Sequence, residues 1–128
     1  MAKSKVKWIR RAIIVSPYCI GLCKEEAAFW QELKRLKIPR ETWPEWIPEG
    51  KDARVHLFTQ IKSHNLCAIV CIKKSKKTTQ NQIVGLLIHE AVHIWQEIKK
   101  EINEHEPSQE FEAYSIQAIA QSLIEAYK

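Results

Sequence analysis

The sequence predicts an α+β fold: one domain in which a small, mainly antiparallel sheet packs on helices, in the order β-α-β-β-α-α. Three observations support this prediction. Two stretches near the C-terminus, residues 82–98 and 108–127, have the apolar periodicity of amphipathic helices. Short stretches that are rich in β-branched residues or alternate in polarity precede them. The length of 128 residues, with 45% apolar and 27% charged residues, is typical of a single globular domain.

The N-terminal part supplies the first strand and the first helix. Residues 1–8 are basic and are expected to form a flexible tail. Residues 10–15 have the β-branched content of a strand, which a Ser-Pro pair would end. Residues 25–36 predict an amphipathic helix. In the segment 39–50 three prolines stop regular structure, and two tryptophans are expected to anchor the loop onto the domain.

The middle of the chain predicts a β-hairpin over residues 53–60 and 66–72. The first of these strands alternates in polarity, which favours the edge of a sheet. The second is apolar on both faces, which favours its centre. His56 and His64 are interpreted as surface residues, because neither has the spacing of a metal ligand.

The helix predicted over residues 82–98 contains the sequence His89-Glu90-Ala91-Val92-His93, an HExxH motif. At 3.6 residues per turn, His89 and His93 stand one turn apart on the same side, so both imidazoles can reach one ion. Glu90 lies a quarter-turn away, close enough to hydrogen-bond a metal-bound water without being a ligand. The alternative is a chance match whose histidines and glutamate form surface ion pairs.

The pattern around the motif argues against chance. The two histidines lie on a narrow stripe beside a broad apolar arc, as expected for a helix that lines a cleft. Gly85 stands one turn before His89 on this stripe. It would either let a substrate approach closely or permit a contact with another helix.

A catalytic zinc ion takes three protein ligands and leaves a fourth position for water, and two carboxylates compete to be the third ligand. The next helix begins near Ser108 and, after a short loop, should run back antiparallel beside the first. Glu112 falls within its apolar face, where a carboxylate is costly unless it is paired or binds a metal. Glu110 falls on the polar side and is the reserve ligand. The alternative for both residues is that the helix dipole favours a glutamate in the first turn without any metal, which explains Glu110 well and Glu112 less well. His105 in the loop is a minor substitute for the third ligand.

These residues also carry a resemblance. His89-Glu90-x-x-His93, followed after eighteen residues by Glu112, resembles the HExxH-x18-E signature of the gluzincin metallopeptidases. The same run, together with the Pro-Ser-Gln-Glu-Phe-Glu-Ala-Tyr stretch, is similar to small metallopeptidases that bacteriophages encode. The resemblance implies a zincin-like domain over residues 1–128. It also implies one zinc ion per chain on the two histidines and a downstream glutamate, with Glu90 as the general base.

The expected function is therefore zinc-dependent hydrolysis of a peptide or protein. Thermolysin-like enzymes carry an aspartate four residues after the third ligand, where this chain has Ile116, so another residue must orient the ligands. Tyr114 and Gln117 are the candidates, and Tyr114 is also the candidate oxyanion donor. The competing hypotheses are a non-catalytic zincin-fold protein that binds a partner, such as a host protein, and a basic nucleic-acid-associated protein.

Four cysteines occur as Cys19-x3-Cys23 and Cys67-x3-Cys71. A zinc site of four thiolates is the alternative to a structural role. In a strand, however, residues four apart are separated by about 13 Å, which is too far to bind one ion. The thiols are therefore interpreted as reduced, buried, small apolar groups.

Charge is distributed unevenly along the chain. Residues 1–80 hold 17 basic against 7 acidic side chains, and residues 81–128 hold 3 against 8. Because no nucleic-acid motif accompanies the positive charge, a solvated loop and a basic tail are favoured over a nucleic-acid partner. The N-terminal stretch does not have the pattern of a signal peptide, and no apolar run is long enough to predict a membrane span. A cytoplasmic location is expected, in the host if a bacteriophage encodes the chain.

Overall fold

A computed structural model describes residues 4–10 and 16–128 of the chain. These residues form four strands and three α-helices: β1 (Lys7–Trp8), β2 (Tyr18–Cys23), α1 (Glu26–Arg35), β3 (Ala53–Thr59), β4 (Leu66–Ile72), α2 (Gln80–Glu101) and α3 (Gln109–Tyr127). One 3-10 turn, Arg40–Thr42, lies in the loop between α1 and β3. The predicted α+β class is confirmed, with one strand more than the predicted order.

The N-terminal strands differ from the prediction. The strand predicted at residues 10–15 falls mostly on residues outside the described part, and Arg10, the one described residue, is not in a strand. The long N-terminal strand is β2, which begins directly after Pro17. The Ser-Pro pair precedes a strand here, because proline at a strand's start removes no hydrogen bond that the ladder needs.

Strand β1 falls within the segment predicted as a flexible tail. Lys7 pairs with Leu22 and Trp8 with Gly21 in an antiparallel ladder. The indole Nε1 of Trp8 also donates a hydrogen bond of 2.6 Å to the Glu32 carboxylate on α1. These contacts fix the end of the predicted tail against the sheet.

The four strands form one mixed sheet in the order β1-β2-β4-β3. The pairings β1 with β2 and β3 with β4 are antiparallel, and β2 with β4 is parallel. As the hairpin pattern predicts, β4 is central and β3 lies at the edge of the described sheet. Strand β3 also contacts α2.

Two hydrophobic cores lie on the two faces of the sheet. On one face, the even-numbered residues of β2 and β4 pack against α2 and α3, with Trp95, Ile98 and Ile119 fully buried. On the other face, Cys23, Ile69 and Cys71 pack against α1. The result is three layers, in which the HExxH helix lies on the opposite side of the sheet from α1.

The proline-rich loop packs where the sequence predicts and buries a histidine that the sequence does not. Trp43 and Trp46 pack against the α1 side of the core. His56 in β3 is buried, and its Nε2 lies 2.8 Å from the carbonyl oxygen of Trp46. The interpretation of His56 as a surface residue is therefore wrong, because this loop covers the outer face of β3. His64 is exposed, as predicted.

Helix α2 is fixed at its start by a capping box. The backbone N–H of Gln82 donates to the Thr79 side chain over 3.1 Å, and the N–H of Thr79 donates to the Gln82 amide oxygen over 2.8 Å. Lys99 and Lys100 in its last turn complement the helix dipole. Within residues 4–10 and 16–128, no helix combines the length and the apolar character needed to cross a bilayer.

Candidate metal centre

Helix α2 carries His89 and His93 on its solvent-facing side, one turn apart. The Nε2 atoms of the two imidazoles are 3.1 Å apart. The rings meet edge to face, with centroids 4.7 Å apart and an interplanar angle of 76°. Helical periodicity thus brings the two predicted ligands together.

The two Nε2 atoms have nearly the spacing that zinc requires. A tetrahedral zinc ion bound by two imidazoles at about 2.0–2.1 Å separates their nitrogen atoms by roughly 3.3 Å. The observed separation of 3.1 Å is close to this value. Small changes in the side-chain torsions would let both nitrogens bind one ion, so this pair fits zinc.

Gln96 orients one of the two imidazoles. Its amide oxygen lies 3.1 Å from Nδ1 of His93. Because an amide oxygen can only accept, this contact favours the tautomer with the proton on Nδ1 and the lone pair on Nε2, which is the tautomer that a metal ligand needs. This role of Gln96 was not predicted from the sequence. The available signal was its position three residues after His93 on the same stripe.

Glu90 lies on the flank of α2 that contacts β3, and only 5% of its surface is exposed. The backbone N–H of Val55 in β3 faces its carboxylate and favours the charged form. Burial raises the pKa of Glu90, while His89, His93 and the Val55 N–H oppose this shift. The carboxylate is therefore held beside the histidines, between α2 and β3.

Glu112 on α3 contacts a different side of α2 from the one that carries the histidines. Its carboxylate accepts a hydrogen bond of 2.8 Å from the Trp95 indole and one of 3.3 Å from the Lys99 ammonium group. These two hydrogen bonds hold the pKa of Glu112 below its ordinary value. Trp95 is two residues from His93, roughly 200° round the helix, so Glu112 faces away from the histidine stripe. Its place in the apolar face of α3 is thus explained by pairing with Trp95 and Lys99.

The other predicted residues of α3 do not join the histidines either. Glu110, Tyr114 and Gln117 are exposed, and in the described part of the chain no hydrogen bond links any of them to His89 or His93. Across residues 4–10 and 16–128, no three His, Cys, Asp or Glu side chains converge as a group that could hold a metal ion. The structure brings together two of the three predicted ligands.

Two grooves flank the histidine pair. One, of about 520 Å³, lies beside His93 and is lined by part of β3 and by the end of α2 with the loop that follows, including Glu97, Glu104 and His105. The other, of about 710 Å³, lies beside His89 and includes Gly85. A Cβ atom at Gly85 would meet nothing within 4 Å, so this glycine is not a helix contact and leaves the groove open.

No protein-family model, no curated protein and no solved structure matches this chain. The zincin-like interpretation therefore depends on the motif and on the contacts of its own residues. Those residues provide two imidazoles at zinc spacing, a buried carboxylate beside them and an adjacent strand edge.

Proposed function

We propose that this chain is a zinc-dependent metallohydrolase with a zincin-like fold, and specifically a peptidase. The observation that carries this proposal is the pair of Nε2 atoms 3.1 Å apart on an exposed helix face, next to a carboxylate that is only 5% exposed. His89 and His93 would hold one zinc ion per chain, and Glu90 would act as general base. The substrate would be a peptide or protein of the cytoplasm, that of the host if a bacteriophage encodes the chain.

The chemistry follows from what each residue can do. When bound, zinc would lower the pKa of its water towards about 7 and polarise the scissile carbonyl. Glu90 would accept a proton from the attacking water and pass it to the leaving amine. Gln96 would keep the His93 imidazole in the tautomer that binds metal. Tyr114 is the proposed oxyanion donor, and an extended substrate could pair with the open edge of β3.

A catalytic zinc ion requires a third protein ligand. We retain Glu112 as this ligand, with Glu110 in reserve. Glu112 would have to exchange its hydrogen bonds from Trp95 and Lys99 for the metal. His105 is the substitute, because it lines the same groove as His93.

Metal content tests the site directly. We would purify the full chain without a histidine tag and measure zinc by elemental analysis, beside Glu112→Ala, Glu110→Ala and His105→Ala variants. One zinc per chain, lost in Glu112→Ala and kept in the other two, is the expected result. A wild-type chain that neither carries nor takes up zinc would contradict the metal site. If zinc is lost in one of the other two variants instead, the residue replaced in that variant is the third ligand.

Catalysis is tested separately by Glu90→Gln, which removes the base and keeps the shape of the side chain. Zinc content should be unchanged, and hydrolysis of a peptide substrate should fall by about 100-fold or more. The control is Glu125→Gln, which changes an exposed glutamate near the end of α3 and should retain activity. Equal activity of the Glu90→Gln variant and the wild type would rule out Glu90 as the base.

A non-catalytic, partner-binding role is the second candidate function. It is favoured by one observation: within the described residues, two ligands come together and a third does not. In that case the Glu90→Gln variant would keep its biological effect, and a host protein would co-purify equally with the variant and the wild type.

A further inference from the structure

The four cysteines form two cross-strand pairs in the centre of the sheet. In the parallel ladder of β2 and β4, Cys19 lies opposite Cys67 and Cys23 lies opposite Cys71. Neighbouring strands are about 4.8 Å apart, which lies within the roughly 4.4–6.8 Å between Cα atoms that a disulfide can span. Opposed residues also point to the same face of the sheet. Each pair is therefore placed so that it could be oxidised without a change of register.

The two pairs differ in their access to solvent. Cys23 and Cys71 are both fully buried under α1, and the Cys23 thiol donates a hydrogen bond of 3.1 Å to the carbonyl oxygen of Glu25. Burial raises the pKa of Cys71 far above its ordinary range. Cys19 is exposed, whereas its partner Cys67 is only 3% exposed. A soluble reagent can thus reach one thiol of the four directly, and that thiol has a buried partner beside it.

A cavity adjoins this accessible pair. It has a volume of about 260 Å³ and is lined by both Cys19 and Cys67. Its wall includes Arg10 and Arg35, so it presents positive charge, although Arg35 also forms an ion pair with Glu32. Burial raises the pKa of Cys67, while Arg35 acts in the opposite direction. The cavity offers room and favourable charge for an anionic small molecule at the exposed thiol.

We propose that Cys19 and Cys67 are a modification site that reacts with low-molecular-weight disulfides such as glutathione disulfide. The Cys19 thiolate attacks one sulfur of glutathione disulfide, which forms a mixed disulfide and releases one glutathione. The Cys67 thiolate then attacks the Cys19 sulfur, which forms the Cys19–Cys67 disulfide and releases the second glutathione. In sum, two protein thiols are oxidised to one disulfide, and one glutathione disulfide is reduced to two glutathione molecules. The two protons that the protein thiols lose are taken up by the two glutathione thiolates.

The buried pair provides an internal comparison. Cys23 and Cys71 have the same register on the same two strands. Because neither is reachable from solvent, they should stay reduced in the folded chain. All four thiols lie on the α1 face of the sheet or its rim, away from the histidines of α2, so the reaction is independent of the proposed zinc site.

The test is mass spectrometry of the fully reduced, folded chain after incubation with excess glutathione disulfide. The expected product is the wild-type chain lacking two hydrogen atoms, with one cross-linked peptide that joins Cys19 to Cys67. Cys67→Ser should stop at a stable glutathione adduct on Cys19. Cys19→Ser should stay unmodified, and Cys23→Ala should form the same cross-link as the wild type. In denaturant all four thiols should react, which shows that the reagent is competent.

Several outcomes would overturn this proposal. These are a lasting glutathione adduct on the wild-type chain, a cross-link between two chains, or oxidation of Cys23 and Cys71 at the same rate as Cys19 and Cys67. Circular dichroism of each variant, before the reaction, establishes that the strands are folded, so that an unfolded variant is not mistaken for a reactive one.

Discussion

The indole Nε1 of Trp95 donates a 2.8 Å hydrogen bond to the carboxylate of Glu112. The sequence pattern assigns this carboxylate to a metal, because it falls in the apolar face of α3. The structure gives it a different partner on the far flank of α2. Two explanations of the Glu112 carboxylate therefore compete, and they differ in the zinc affinity expected when the indole N–H is removed.

Trp95→Phe separates these explanations. This substitution keeps an aromatic ring against Phe111 and deletes the donor. If Glu112 must leave Trp95 to bind zinc, the variant should bind zinc several-fold more tightly, since a competing hydrogen bond to a charged group is lost. Zinc affinity is measured by titration against a chelator. The control is Trp30→Phe, which removes a similar indole bond to Glu26 on α1 and should leave zinc affinity unchanged. Equal affinities in both variants would argue against Glu112 as the ligand.

Gln96→Ala should weaken zinc binding by about tenfold or more, because residues that orient a metal-binding imidazole typically contribute on that scale. The amide oxygen 3.1 Å from Nδ1 of His93 is the physical reason. Gln117→Ala is the matched control, since Gln117 is the α3 glutamine considered for the same role and is exposed. A greater loss of zinc affinity in Gln117→Ala than in Gln96→Ala would mean that Gln117, and not Gln96, orients the imidazole.

The burial of His56 should make the free energy of unfolding depend on pH. Burial lowers its pKa, with Arg54 acting in the same direction and the contact with the Trp46 carbonyl opposing it. The unfolded chain therefore takes up a proton at higher pH than the folded chain. The free energy of unfolding should be highest above about pH 6.5 and should fall as the pH drops from there to the folded-state pKa.

The slope of this fall should not exceed about 1.4 kcal/mol per pH unit, which is the limit for one group. Chemical denaturation over a pH series measures it. His56→Gln should lose this part of the pH dependence. His64→Asn should keep it, because His64 is exposed and asparagine tolerates its φ of 58°. An unchanged profile in His56→Gln would assign the titration to another group.

Thr79→Ala should lower the free energy of unfolding by about 1 kcal/mol, the usual cost of losing an N-cap side chain. The capping box joins Thr79 to Gln82 in both directions. Thr78→Ala is the neighbouring control and should cost less, because the side chain of Thr78 does not cap α2. Urea denaturation of both variants measures the difference, and a larger loss in Thr78→Ala would contradict the observed cap.

The helices and the hairpin could be predicted because each carries its own periodicity. The residues 82–98 stay in register with a helix for more than four turns, and β4 is apolar on both faces, as a central strand must be. Strand β2 escaped prediction because it follows a proline and contains a glycine and two cysteines. Gly21 is needed there, since a Cβ would come within 2.9 Å of Val6 on the neighbouring chain segment.

The site was predictable only as far as one helix extends. His89, Glu90 and His93 are fixed relative to one another by helical geometry alone, so their arrangement follows from the sequence. The place of Glu112 depends on how α3 is rotated against α2, which is set by the packing of Trp95 and Phe111 and by Lys99. The burial of His56 depends in the same way on a distant loop. Periodicity within one element carries no information about either contact.

The parallel pairing of β2 with β4 has a consequence for the order of folding. Tyr18 pairs with Leu66, a separation of 48 positions, whereas the hairpin of β3 and β4 closes through Thr59 and Leu66, which are 7 positions apart. Closing the longer loop costs more entropy, so the hairpin should form early and β2 should dock onto it later. Cys19 and Cys67 would then meet only in that late step, which makes their cross-linking a kinetic reporter of sheet completion.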